Sequence, residues 1–495
     1  MSLKSFAAKL FARYEIARIR RWAANPIVEQ QKTFQSLLLA LKGSAFAKDH
    51  HLYIGLNYDD WKTRVPIRDY EGLKSYVERI KSGEENVLIK GRPQYFCKTS
   101  GTTSGTKYIP MSSDGISAQT RAARSALLCY INETGNADFV SGKMIFLQGS
   151  PVMESVNGVQ VGRLSGIVAH HVPKYLQRNR MPSWETNCMD NWEEKVDAIV
   201  DETKYADMRL ISGIPPWVQM YFERLIKETG KKTIREVFPR FSVFAHGGVN
   251  YQPYKPLMKR LIGDDVDSIE TYPASEGFIA FQDSQKEAGM LLNLDGGIFY
   301  EFVPVAELYS EFQTRISLKD VKLEVNYAII LNTSSGLWGY LIGDTVKFVS
   351  TSPYRIMVTG RIAHFISAFG EHVIAEEVEN SMSNACKKFD VEVSEFHVAP
   401  QVNPLDGLPY HEWFVESDGT LGEDFAASLD EELRNANSYY NDLIVGSVLQ
   451  PLKLKLLPKG AFNKYMESIG KLGGQNKLPR LANDRKIADE LAKKP

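Results

Sequence analysis

The sequence predicts an α/β protein with two domains: a large N-terminal one, residues 1–355, of mixed sheets and flanking helices, and a smaller mobile C-terminal α+β one, residues 356–495. Three observations carry this expectation. The first hundred residues read as mainly helical, with QQKTFQSLLLALKGSAFAKDH stopping near Gly43. From Lys143 the texture changes to short apolar runs, KMIFLQG, MRLISGIPPWV and FSVFAHGG, that end in glycine or a small polar residue and alternate with helical stretches such as WVQMYFERLIKETG. Strand-length runs alternating with helices imply βαβ units and parallel pairing, with ligands gathering where the strands end. Beyond GLWGYLIGDTVKFV, the Ser, Thr and Pro of STSPYRIMVTGR suggest a short linker near residue 355. After it, HFISAFGEHVIAEEVENSM reads as strand, loop and helix, and EVSEFHVAP, EWFVES and LKLKLLP as further strands.

Composition narrows the function. A chain of 495 residues at 43% hydrophobic buries a large core and divides into at least two domains. Lys+Arg 59 against Asp+Glu 60 leave a net charge of -1, so no whole-molecule field draws it to nucleic acid or an anionic membrane. A small-molecule ligand is expected. Cys97, Cys129, Cys188 and Cys386 form no CxxC pair, which suggests neither a disulfide framework nor a zinc site, but reduced thiols in the cytoplasm. The pairs His50–His51 and His170–His171 carry no carboxylate or cysteine at ligand spacing.

The N-terminus, MSLKSFAAKLFARYEIARIRRWAANP, is amphipathic and basic, as a transit peptide or a membrane-surface helix would be. The helical spacing of Leu3, Phe6, Leu10 and Phe11 favours instead a helix docked on its own domain. No apolar run approaches the roughly twenty residues of a membrane span.

The most informative stretch is YFCKTSGTTSGTKYIP, Tyr95 to Pro110, a Ser/Thr/Gly loop ending on Lys107. Between strand-like PQYF and helix-like SSDGISAQTRAARSALLCYI, it can wrap a polyphosphate with backbone N–H groups and hydroxyls. It is not a Walker A loop: Gly101 and Gly105 are too close, and Tyr108 follows the lysine. The loop alone leaves open both a phosphate cradle and a flexible surface turn. Likewise Glu276 and Asp344, taken singly, read as caps or turn residues, Tyr272 as a core aromatic, Lys477 as a solvated lysine, and His246 as a histidine satisfied at a strand end.

Together, TSGTTSGTKYIP, TYPASEG (Thr271 to Gly277), GYLIGDTV and GRIAHFISAFGEHVIAEEVE (Gly360 to Glu379) resemble, in order, the motifs of the adenylate-forming superfamily of acyl-CoA synthetases, adenylation domains and luciferases. VPIRDYEGLKSYVERI at Val65 to Ile80, the YxxSE form at Tyr272 to Glu276, and GGQNKLPR at Gly473 to Arg480 are similar to the auxin-responsive acyl acid amido synthetases, the Gretchen Hagen three family. The family's YRxGD motif departs here, with Leu341 in place of arginine, while Asp344 is kept.

This resemblance implies an ATP-dependent ligase that adenylates a carboxylic acid and passes the acyl group to an amino acid. An acyl-CoA ligase on the same scaffold is the alternative, and a non-catalytic nucleotide-binding protein a third class. ATP and Mg²⁺ are the implied cofactors, and a carboxylic acid and an amino acid the partners. Neither nucleic acid nor membrane is expected, and the chain is expected to be a monomer. By resemblance, Thr99, Ser100, Gly101, Thr102, Thr103 and Ser104 cradle the β and γ phosphates with Lys107 nearby. Tyr272 packs on adenine opposite Gly247, Gly248 and Val249, Ser275 accompanies Glu276 at the nucleotide, and Asp344 accepts from the ribose hydroxyls. Glu276 holds Mg²⁺, and Lys477 swings in to stabilise the α-phosphate, which makes these two the catalytic residues. Arg121 or Arg124, on the helix after the loop, is a candidate for a second polar group of the acid.

Overall fold

The computed structural model describes the chain except residues 1, 100–105, 190, 249–250, 252–253, 309–312, 363–364, 367, 372, 418, 420, 470–477 and 494–495. The elements that matter for the site are α1 (Leu3–Ala23), β1 (Tyr95–Thr99), β2 (Lys107–Met111), α2 (Ser113–Thr134), β3 (Val243–Gly247), β4 (Asp267–Ala274), β5 (Gly277–Phe281), β6 (Tyr340–Thr351) and β7 (Tyr354–Arg361).

A mixed sheet forms the frame, twelve-stranded among the described residues. One half is parallel: Arg180–Met181, Lys143–Phe146, Met208–Ser212, β3 and β4 run side by side. The helix Pro215–Thr229 links Met208–Ser212 to β3 as a crossover, and Lys255–Ile262 links β3 to β4. The other half is antiparallel, running from β5 through Met290–Leu292, β7, β6, Asn326–Thr333 and Ile298–Pro304 to Ile316–Ser317. The expected alternation of strand and helix thus builds one half of the sheet, and hairpins build the other. A four-stranded sheet carries β1 and β2 beside the strands Glu154–Val156 and Val159–Gly162.

Helix α2 begins where Ser112 Oγ accepts from the Gly115 amide at 3.0 Å and ends at Gly135, whose φ of 72° suits a residue without Cβ. It buries Ile116, Ala122, Ala126 and Cys129 against the core. Helix α1 lies along it, but not through the face its apolar spacing suggests. Ser5, Ala12, Glu15, Ile19 and Trp22 are buried, whereas Leu3, Phe6, Leu10 and Phe11 are exposed. Polar contacts outweigh the apolar spacing. Burial works against the Glu15 carboxylate, yet hydrogen bonds from Arg18 (2.7 Å) and Ser125 (2.6 Å) hold it below the usual carboxylate range.

The Ser/Thr/Pro cluster expected as a linker is the turn of the β6–β7 hairpin. Arg355 is buried in the large sheet and donates to Asp283 at 2.8 Å, so the large sheet continues through Arg361. The physical reason is the alternation of YRIMVTGR, which pairs with β6 instead of leaving the sheet.

The smaller C-terminal unit has a sheet of Val393–Gln401, Tyr410–Ser417 and Lys453–Leu457, covered by the helices Ala375–Phe389 and Glu423–Ala436. Inside it, His411 Nε2 meets Glu371 Oε1 at 2.8 Å, both fully buried. It rests on the large unit where the Tyr254 hydroxyl donates to the Ala368 carbonyl at 2.6 Å. A second contact is the Arg163–Asp442 ion pair, 2.8 Å, with the guanidinium over the Tyr439 ring.

Candidate active site

The polar loop is presented by a hairpin. Thr99 and Lys107 are the last register partners of β1 and β2, so residues 100–106 connect two antiparallel strands and α2 begins only after Ser112. The expected strand-to-helix loop is therefore corrected: KYIPM pairs back on YFCKT before the helix starts. Ser100, Gly101, Thr102, Thr103 and Ser104 lie outside the described residues. Lys107 stands 6.0 Å from the Tyr70 ring, and the Tyr70 hydroxyl accepts from the Tyr108 amide at 2.9 Å. The VPIRDYEGLKSYVERI segment thus braces the hairpin from one side.

On the other side lies the β4–β5 turn. Register pairing of Ala274 with Gly277 leaves Ser275 and Glu276 as a two-residue turn. Gln119 Nε2 on α2 donates to the Ala274 carbonyl at 2.7 Å, and the Tyr340 hydroxyl donates to Glu276 Oε1 at 3.3 Å. Cys97 on β1 is fully buried beside this turn. Burial and the nearby Glu276 charge push its thiol well up, although a Ser275 hydrogen bond opposes them. Strand β1, the Glu276 turn and the start of β6 are therefore one locality.

The third motif, GYLIGDTV, joins it through a bulge. Between Ala328 and Ile330 the register of β6 shifts, and Gly343 takes the left-handed φ of 95° there. The bulge turns Asp344 inward, where it is buried and accepts a hydrogen bond from the Tyr272 hydroxyl. A side chain on Gly343 would meet nothing within 4 Å, so the left-handed backbone at the bulge, rather than crowding, is what favours glycine there.

Strand β3 ends at His246, Gly247 and Gly248. A Cβ on Gly247 would come within 2.2 Å of the Thr271 carbonyl oxygen, and Gly248 has φ of 82°, so both positions require glycine. The His246 ring lies against Tyr251, centroids 4.1 Å apart, and burial pushes it down to about 3, so it is neutral. Its Nδ1 has no hydrogen-bond partner among the described residues, unlike the satisfied histidine expected. Val249 lies outside the described residues.

Arg121 and Arg124 point elsewhere. Arg121 Nη2 donates to the Asp295 carbonyl at 2.6 Å, and the Arg124 guanidinium lies 5.3 Å from the Phe11 ring on α1. Arg121 thus ties α2 to the loop before Ile298–Pro304, and Arg124 packs α2 on α1. Lys477 lies outside the described residues, but the chain just after it is fixed on the small sheet. There the His397 Nδ1–H donates to the Pro479 carbonyl at 2.7 Å and the Val398 amide to the Arg480 carbonyl at 2.9 Å. The histidine pairs take structural bonds: His50 to Arg64, His170 to Pro151 and His171 to Tyr95.

Sequence reasoning passed over Gln119, Cys97 and Tyr70, whose roles depend on cross-strand and helix contacts. Tyr340 carried a signal, since it opens the Tyr-x-x-Gly-Asp segment. The donor set suits a magnesium nucleotide: a carboxylate on a tight turn is a hard oxygen ligand, and the carboxylate of Asp344 can accept from vicinal hydroxyls.

Comparison with known proteins concerns the chain as a whole. The GH3 family N-terminal, central and C-terminal domains match residues 15–195, 291–361 and 376–486. A jasmonoyl–L-amino acid synthetase of Nicotiana attenuata is 20% identical over 91% of this chain and 90% of its own. In fold, the chain resembles the AtGH3.15 acyl acid amido synthetase in complex with 2,4-DB, with TM-score 0.63, 16% identity, and 97% and 96% of the two chains covered. It also resembles a 2-hydroxyisobutyryl-CoA ligase in complex with 2-HIB-AMP and CoA, with TM-score 0.58, 13% identity, and 94% and 91% covered. With all three of its domains matched in order along one chain, this protein belongs to the GH3 family.

Proposed function

We propose that the protein is an ATP-dependent acyl acid amido synthetase. The observation that carries this reading is the convergence of Glu276, Tyr340, Tyr272 and Asp344 between the β1–β2 hairpin and the end of β3. A carboxylate is a poor electrophile because its leaving group would be oxide. Attack of a substrate carboxylate oxygen on the α-phosphorus of ATP forms an acyl phosphate anhydride and expels pyrophosphate. An amine nitrogen then attacks the acyl carbon, AMP leaves, and the amine proton passes to solvent. Neither step needs covalent chemistry from the protein, so its task is positioning and charge stabilisation.

In this reading residues 99–104 and Lys107 receive the β and γ phosphates, and Asp344, held by Tyr272, receives the ribose hydroxyls. Gly247 to Val249 form the wall opposite Tyr272, where a side chain at Gly247 has no room. Glu276 and the phosphate oxygens would hold Mg²⁺, which supplies charge neutralisation at the phosphates. Lys477 approaches the α-phosphate as the small unit turns, and the small unit, beginning beyond Arg361, moves as a body between the two half reactions. The enzyme works as a monomer in the cytoplasm, which suits its free cysteines.

The test is pyrophosphate release screened over carboxylic acids, then mass spectrometry of the products with pooled amino acids or coenzyme A. An acyl amide supports the reading. A thioester formed with coenzyme A alone would replace it with the acyl-CoA ligase, and no acid-dependent release would remove both.

A further inference from the structure

Helix α1 has two faces, and only one is used by the fold. The inner face is tied down by Glu15 to Ser125 and by buried Ile19 and Trp22. Along the opposite face Leu3, Phe6, Leu10 and Tyr14 recur every three or four residues and are 85%, 48%, 50% and 69% exposed. Apolar side chains standing singly on a surface are ordinary, but four in one helical stripe form a patch. Lys9, Arg13 and Arg20 follow one edge of the stripe and Arg21 stands at its end, all but the half-buried Lys9 exposed. The helix has one acidic residue, Glu15, and that is buried on the inner face. The chain as a whole is nearly neutral at -1, so this concentration of positive charge is local.

We propose that the outer face of α1 binds the surface of an anionic lipid bilayer, with Leu3, Phe6, Leu10 and Tyr14 inserted at the headgroup–acyl boundary and Lys9, Arg13, Arg20 and Arg21 on the acidic headgroups. Charge complementarity selects this occupant: a basic edge beside an apolar stripe, with no acidic side chain on that face, matches a negatively charged interface. The helix is already folded and anchored, so binding carries no cost of ordering it. The proposal departs from the expectation of no membrane partner, because the apolar face expected to dock on the domain is exposed. It rests on α1 and is independent of the proposed activity.

The experiment is co-sedimentation of the full chain with vesicles of phosphatidylcholine alone and of phosphatidylcholine mixed with phosphatidylglycerol. Binding to the mixed vesicles only, weakening with salt, is expected. Phe6→Asp with Leu10→Asp, and separately Arg13→Glu with Arg20→Glu, should each lower the partition coefficient at least about tenfold. Both pairs should leave a cooperative thermal melt near the parent's, because α1 is held by its opposite face through Glu15, Ile19 and Trp22. Leu405→Asp, at an exposed leucine away from α1, should bind as the parent does. Absence of binding to the anionic vesicles, equal binding to both compositions, or parent-like binding by the α1 variants overturns the proposal. So does a dimer in sedimentation equilibrium that Leu10→Asp splits, since the stripe would then be a contact between two copies of this chain.

Discussion

The Tyr272 hydroxyl donates a hydrogen bond to the Asp344 carboxylate, although the two residues sit on β4 and β6. In sheet order these strands are separated by β5, Met290–Leu292 and β7. In a flat sheet four steps of about 4.8 Å would hold them about 19 Å apart, so the sheet folds over here and closes one wall of the site. The tyrosine proposed for adenine thereby positions the aspartate proposed for ribose.

Asp344→Ala removes charge-assisted bonds to the nucleotide and should weaken ATP binding by at least about tenfold. Tyr272→Phe keeps the ring and loses only the positioning bond, for a loss of about threefold to tenfold. Titration calorimetry with ATP checks both, and parent-like affinity in Asp344→Ala would reject the ribose assignment.

Glu276→Ala should abolish acid-dependent pyrophosphate release and leave the melting temperature near the parent value, since the residue lies on a turn. Tyr340→Phe removes one hydrogen-bond donor to the same carboxylate and should retain activity at a reduced rate. Full pyrophosphate release by Glu276→Ala takes the residue out of the mechanism.

Lys477→Ala should slow pyrophosphate release strongly yet convert a supplied acyl adenylate to amide at near the normal rate. One position of the small unit cannot place a cation at the α-phosphate and also leave the acyl carbon open to an amine. The chain just beyond Lys477 is bonded to the small sheet, where Pro479 accepts from His397 and Arg480 from Val398. Equal losses in the two assays would contradict a role confined to adenylation.

His246 links stability to pH. Burial lowers its folded-state value from 6.5 to about 3, so between these values the unfolded chain binds more protons. Its contribution is fully present above pH 6.5 and is lost as pH falls toward 3, with a slope of at most about 1.4 kcal/mol per pH unit. Denaturant unfolding at pH 7 and pH 5 should therefore show a smaller decrease for His246→Phe than for the parent. An unchanged decrease would show that the imidazole is charged in the fold.

Much of the site was legible because its chemistry is local in sequence. Thr271 to Gly277 and Tyr340 to Asp344 are short runs, so Glu276 and Asp344 could be named from their resemblance to ordered family motifs, although the turn and the bulge that carry them were not foreseen. The alternation of short apolar runs with helices likewise predicted the parallel half of the sheet, since burial on both faces demands such runs.

What the sequence could not decide was which faces meet. Leu3, Phe6, Leu10 and Phe11 have the spacing of a buried stripe, yet α1 turns Ser5, Ala12, Glu15 and Trp22 inward, because bonds from Arg18 and Ser125 compensate the burial of Glu15. Arg121 or Arg124 was a candidate for substrate by position, and the structure engages Arg121 with the Asp295 carbonyl and Arg124 with the Phe11 ring. STSPYRIMVTGR has the composition of a linker, but its alternating apolar residues add a strand to the large sheet. Residue types and their periods were determined along the chain. The choice among compatible faces and partners came only with the tertiary structure, where desolvating a polar group has to be balanced by a specific bond.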